Sequence, residues 1–106
     1  MARVIVEVLS SLQVEIKRAD QRTQKLFEKQ RRFMEQYPDY PSLGKKKLNG
    51  VYDKYGNPLW EIRLGIKERI VFVEKEGGKR VVWLKVVRHD ALTRKNVIHV
   101  EGDYGT

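Results

Sequence analysis

The sequence predicts an α+β domain in which an N-terminal helix, or helical hairpin, packs on one face of an antiparallel β-sheet. Three observations carry that prediction. An apolar stripe at helical spacing runs through residues 12–37, three runs of strand character crowd into residues 59–88, and glycines separate those runs. At 106 residues the chain fits a single domain, 1–106. A chain of that size buries roughly 60–68% of its extended surface. Its 41% hydrophobic content is that of a globular chain.

The elements follow in order. Residues 3–9 are rich in β-branched types and form a first strand, after which Ser10 and Ser11 offer helix-capping hydroxyls. Leu12, Ile16, Ala19, Thr23, Leu26, Phe27, Phe33, Met34 and Tyr37 then recur in steps of three, four and seven, marking one buried helical stripe. Asp20 can cap a second helix after a short break, so one long helix and a hairpin both satisfy the pattern. Lys17, Arg18, Arg22, Lys25, Lys29, Arg31 and Arg32 occupy the polar side. Pro38 and Pro41 end the helix, because proline lacks the N–H that would continue it.

Residues 39–58 read as irregular, punctuated by Gly44, Gly50 and Gly56 and carrying the run Lys45, Lys46, Lys47. Residues 59–64 alternate apolar with charged, as a half-buried strand does. Gly65 turns the chain into a second strand at 67–75, and Gly77 with Gly78 forms a hairpin into a third at 80–88. The polar tail, residues 96–106 in particular, is expected to be a partly ordered extension.

Strand parity decides which side chains share a face. Trp60, Ile62, Leu64, Ile70, Phe72, Val82, Leu84 and Val86 are expected to face the helices. That leaves Glu61, Arg63, Arg69, Lys85 and His89, with Trp83, on an open opposite face. Such a set has the parts for metal-free RNA cleavage. Arg63 and Arg69 can clamp a phosphate, Glu61 or a lysine of the 45–47 run can take a proton, and His89 can return one. Alternating charge is also what any solvated strand shows.

Composition narrows the partner. Twenty-two basic residues against 14 acidic ones leave a net charge of +8, which attracts nucleic acid or an acidic protein. The chain has no cysteine, which removes disulfides, zinc–thiolate sites and thiol nucleophiles and suits a reducing, cytoplasmic setting. The N-terminal apolar run is too short and too charged for a signal peptide, and no stretch reaches the roughly 18–20 apolar residues of a membrane span. His89 and Asp90 are neighbours whose side chains diverge on a strand, so no metal is expected, nor any other cofactor.

Taken together, Lys45 to Gly50 (KKKLNG), Leu59 to Leu64 (LWEIRL), Arg69 to Phe72 (RIVF) and Val86 to Asp90 (VVRHD) resemble the RelE/ParE superfamily of toxin–antitoxin toxins. The likeness spans about residues 3–95 and is nearest the RelE- and HigB-like branch. It implies helices packed on a curved antiparallel sheet, ribosome-dependent cleavage of mRNA, and a cognate antitoxin as partner. By position, Lys45, Lys46 and Lys47 match the family's basic loop, and Arg63 and Arg69 its strand arginines. Arg88 and His89 match its terminal catalytic segment, and Lys85 joins the RNA-binding set. Two departures stand out: Asp90 follows His89 where a tyrosine is frequent, and the 51–58 insert is long. ParE-like members share the fold but act on DNA gyrase, so the fold alone implies either target.

Overall fold

A computed structural model describes residues 3–93 and 97–105. Five strands and two helices follow one another as β1 (Ile5–Val8), α1 (Ser10–Lys17), α2 (Gln21–Gln36), β2 (Lys46–Tyr52), β3 (Pro58–Arg63), β4 (Glu68–Lys75) and β5 (Arg80–Arg88). They form one sheet in the order β1-β5-β4-β3-β2. Strands β2 to β5 are an antiparallel meander, whereas β1 lies parallel to β5, from Ile5 opposite Arg80 to Val8 opposite Trp83. The α+β class and the first strand are as expected; the sheet is mixed rather than wholly antiparallel, and β2, in a stretch that reads as irregular, is a fifth strand.

The N-terminal helices are a hairpin. Asp20 caps α2, its Oδ1 accepting from the Thr23 N–H at 2.7 Å. Those Thr23 hydrogen bonds hold the Asp20 carboxyl below its ordinary range. Gln24 closes the hairpin from the other side, its Nε2 donating to the carbonyls of Ile16, Lys17 and Ala19 at 3.1–3.3 Å. The serines do not cap α1. Leu9 is its N-cap, without a side-chain bond.

The helices bury their stripe on one face of the sheet. Leu12, Phe27 and Met34 meet Ile62, Ile70, Phe72 and Trp83, with Phe27 edge-on to Trp83 at 5.2 Å. Trp83 is thus fully buried under the helices, not on the opposite face. The cause is a β-bulge in β5. Val71 pairs with Lys85 but its neighbour Phe72 pairs with Trp83, so Leu84 is the extra residue. Val82 and Leu84 accordingly join the other face, and Val86 returns to the helix side.

That other face is not open. Val51, Leu59, Val71, Val73, Val82 and Leu84 are covered by Leu92, Ile98, Val100 and Tyr104 of the C-terminal segment, making a second core. The tail is held along the β2–β3 hairpin. Val97 bridges Tyr52, the Ile98 N–H donates to the Tyr52 carbonyl at 3.0 Å, and Lys54 Nζ donates to the Gly102 carbonyl. Lys75 Nζ donates to the Tyr104 carbonyl, and the Tyr104 ring stands edge-on to Tyr55 at 5.1 Å. Asp53, only 2% exposed, organises the hairpin by accepting from the N–H groups of Tyr55 and Asn57 at 3.0 and 2.7 Å. The 51–58 insert and the C-terminal extension are therefore two halves of one packing unit.

Candidate nucleic-acid interface

Arg63 closes β3 and Arg69 is the second residue of β4, and the antiparallel register sets them directly opposite each other. Like charges paired across strands are destabilising, so this rung is an element the fold carries at a cost. Arg69 is folded back over its turn, with Nη1 donating to the carbonyls of Gly65, Ile66 and Glu68 at 3.4, 3.2 and 3.0 Å. Its remaining guanidinium donors stay available. Arg63 is exposed and has no ion-pair partner among the described residues.

Two neighbours decide where Arg63 stands. Gly44 adopts a left-handed φ of 59°, and a Cβ there would lie 3.0 Å from Arg63 Nε and 3.1 Å from its Cγ. The glycine lets the arginine stem lie across the backbone. From the other side, Gln30 of α2 is 6% exposed and its Nε2 donates to the Arg63 carbonyl at 2.6 Å. The helix is thereby pinned to the end of β3.

Around the rung lies a cleft of about 510 Å³, lined by Arg22, Lys29, Gln30, Ser42, Ile66, Arg63 and Arg69 among others. Four cations line it and no carboxylate does. With low-dielectric walls, such a set focuses positive potential and binds phosphate by charge-assisted hydrogen bonds. Arg22 and Lys29 belong to the polar side of the helix in the sequence reading, which did not assign them to the site. Their spacing of seven, two turns on one side of α2, was the signal.

The other expected residues divide. His89 is exposed, begins a short 3₁₀ segment (His89–Thr93), and donates its N–H to the Lys67 carbonyl at 2.7 Å. It stands at the Arg69 end of the sheet, where Arg69 pairs with Val87. Arg88 is exposed and forms a surface pair with Asp90, Nε to Oδ1 at 3.7 Å. Glu61 does not point into solvent. It is 5% exposed, paired between Lys46 and Val71, and its Oε2 has no hydrogen-bond partner. Lys85 is exposed but lines a different cleft, with Ser11, Glu15, His99 and Glu101; it pairs with Val71, two positions along β4 from the arginine rung.

The lysine run is no loop. It leads into β2 and splits between faces: Lys46 opposes Glu61, while Lys47 opposes Trp60. Lys45 Nζ sits 5.0 Å from the Trp60 ring centre and pairs with Glu74 Oε2 at 3.0 Å; Lys47 lies 6.0 Å from the same ring. Among the described residues no three His, Asp or Glu side chains converge as metal ligands, and no helix is long and apolar enough to cross a membrane.

No protein-family model matches the sequence, and no curated protein matches it. Among solved structures, the chain is similar to one from the crystal structure of the archaeal RelE–RelB complex of Pyrococcus horikoshii OT3. The TM-score is 0.64 at 20% identity, and the match covers 84% of this chain and 97% of that one. At that identity the likeness is one of architecture. The chain has a RelE-like fold, in agreement with the motif resemblance.

Proposed function

We propose that this protein is the toxin of a toxin–antitoxin pair and cleaves mRNA at the ribosome without a metal, holding the scissile phosphate in the arginine cleft. The observation that carries this reading is the Arg63–Arg69 rung, set in a cleft of four cations with no lining carboxylate. In such cleavage the ribose 2′-oxygen attacks phosphorus as the bond to the 5′-oxygen breaks, leaving a 2′,3′-cyclic phosphate and a 5′-hydroxyl. Negative charge grows on the phosphate oxygens in the transition state, and Arg63 and Arg69 stabilise it there. His89, exposed at the same end of the sheet, protonates the departing oxygen. The 2′-proton goes to Lys46 in its neutral form, exposed on β2 two positions from the arginines, because the buried Glu61 opposite it cannot reach the RNA. Lys45, Lys47 and Arg88 then hold RNA or ribosome outside the reacting phosphate, while Lys85 sits apart beside Glu15 and Glu101. The complex in which the similar structure was solved supports a partner of the RelB kind, with acidic surface to cover the cleft.

The test is cleavage of ribosome-bound mRNA by purified protein in the presence of a chelator. Arg63→Ala and Arg69→Ala should each slow cleavage by about 100-fold, and a 2′-deoxy nucleotide at the scissile position should abolish it. Expression should arrest growth, and the triple variant with His89→Ala should not. Equal cleavage by the triple variant would overturn the mechanism. Intact mRNA alongside DNA-damage signalling would instead identify a topoisomerase inhibitor.

A further inference from the structure

Beside the arginine cleft the surface carries an aromatic feature that the cleavage chemistry does not use. Tyr40 is 44% exposed although its ring is fixed in a parallel stack on Phe33, with centroids 4.6 Å apart and planes 3° from parallel. Phe33 occupies one face of the Tyr40 ring. Over the other face no ring or cation lies among the described residues.

The backbone around Tyr40 is tightly set. Its N–H donates to the Tyr37 carbonyl at 2.9 Å, and its carbonyl accepts from the Leu43 N–H at 3.0 Å. Pro41 fixes the next φ, and Leu43 is fully buried. The ring is thus presented by a short rigid turn, and little entropy remains to be lost when something stacks on it.

Position supplies the partner. Ser42, two residues beyond Tyr40, lines the arginine cleft. Lys29 lines it too, and its Nζ lies 5.9 Å from the Phe33 ring centre, so one lysine joins the aromatic stack to the cation cluster. A π-face next to a phosphate-binding groove is the combination that holds single-stranded nucleic acid, with bases stacking while the backbone follows the cations. In a duplex both faces of a base are already stacked, so only an unpaired base can use the site.

We infer that Tyr40 is a stacking platform for an unpaired base of the RNA strand whose phosphate enters the Arg63–Arg69 cleft. This rests on the RNA reading above and adds to it a fixed contact for a base next to the phosphate-binding cleft.

The experiment measures affinity for a short single-stranded RNA made uncleavable by 2′-deoxy substitution at the scissile nucleotide. Tyr40→Ala should weaken binding by about 5- to 150-fold, the loss expected for one base stack. Tyr40→Phe, which keeps the ring, should bind as wild type, and duplex RNA should not distinguish the variants. Replacing each nucleotide in turn by an abasic one should find a position that weakens wild type and leaves Tyr40→Ala indifferent. That coupling cannot come from misfolding. Wild-type affinity in Tyr40→Ala, a loss in Tyr40→Phe equal to that in Tyr40→Ala, or no coupled abasic position would overturn the inference. If Arg63→Ala weakens binding while Tyr40→Ala does not, the cleft reading stands and the platform falls. If wild type binds no free RNA, the platform falls, whereas the cleft reading falls only if ribosome-bound mRNA is also left uncut.

Discussion

Gln30 shows how much one side chain can settle. It lies between Phe27 and Met34 on the stripe that α2 turns toward the sheet, in steps of three and four. Its position as a buried residue could be read from that spacing. Its partner could not, because the Arg63 carbonyl it satisfies lies 33 residues away. In Gln30→Ala that part-buried carbonyl loses its donor, so stability should fall by roughly 1 kcal/mol. Chemical denaturation read by tryptophan fluorescence measures it, and an unchanged midpoint would show that the bond contributes nothing. Gly44 is a similar case. Glycine at the end of a turn is unremarkable in a sequence, and only the approach of Arg63 to its backbone gives it a role in the site.

At the scale of elements, strands β1, β3, β4 and β5 and the helical stripe were legible because period and punctuation agreed, although the pattern left one long helix and a hairpin both open. Three features were not, each for its own reason. Strand β5 is apolar at 81, 82, 83, 84, 86 and 87, so both parities fit it and the bulge at Leu84 leaves no trace in the pattern. Strand β2 has no alternation: Lys46 and Lys47 are both exposed, and Gly50 at φ 71° sits within a register shift. The tail does alternate, with Ile98 and Val100 buried between exposed neighbours, but its few apolar residues are diluted by polar ones. Missing the tail made the second face look open and placed Glu61 in solvent. The latch at its end is testable through Tyr104. Burial, and then the facing Asp53 carboxylate, push the Tyr104 phenol well above its ordinary value of 10.0. A phenol that ionises later in the folded chain than in the unfolded one contributes stability that is whole below pH 10 and is lost as pH rises beyond it. Melting temperature should therefore fall above pH 10 more steeply in wild type than in Tyr104→Phe. Superimposable alkaline limbs would mean the tail docks without that phenol.

For the molecule as a whole, the net charge of +8 says that a polyanion will be attracted, and not where. Parity alone would spread the binding charge over one sheet face, from Arg63 to Lys85. The fold concentrates it at the end of the sheet, where α2 on the opposite face adds Arg22 and Lys29, and leaves Lys85 in a cleft shared with Glu15 and Glu101. The two pictures differ in their response to salt. Each phosphate neutralised on a single strand releases about 0.7 of a counterion, which appears as a slope in log affinity against log salt. Since Arg63 and Arg69 clamp the one scissile phosphate, replacing both by alanine should reduce that slope by about 0.7. Lys85→Ala should leave it unaltered, since acidic neighbours already screen that cleft. Titrations of the same uncleavable RNA across a range of salt concentrations separate the cases. A slope that falls equally with Lys85→Ala would return the binding surface to the whole sheet face. A slope insensitive to both arginines would remove the cleft from RNA binding altogether.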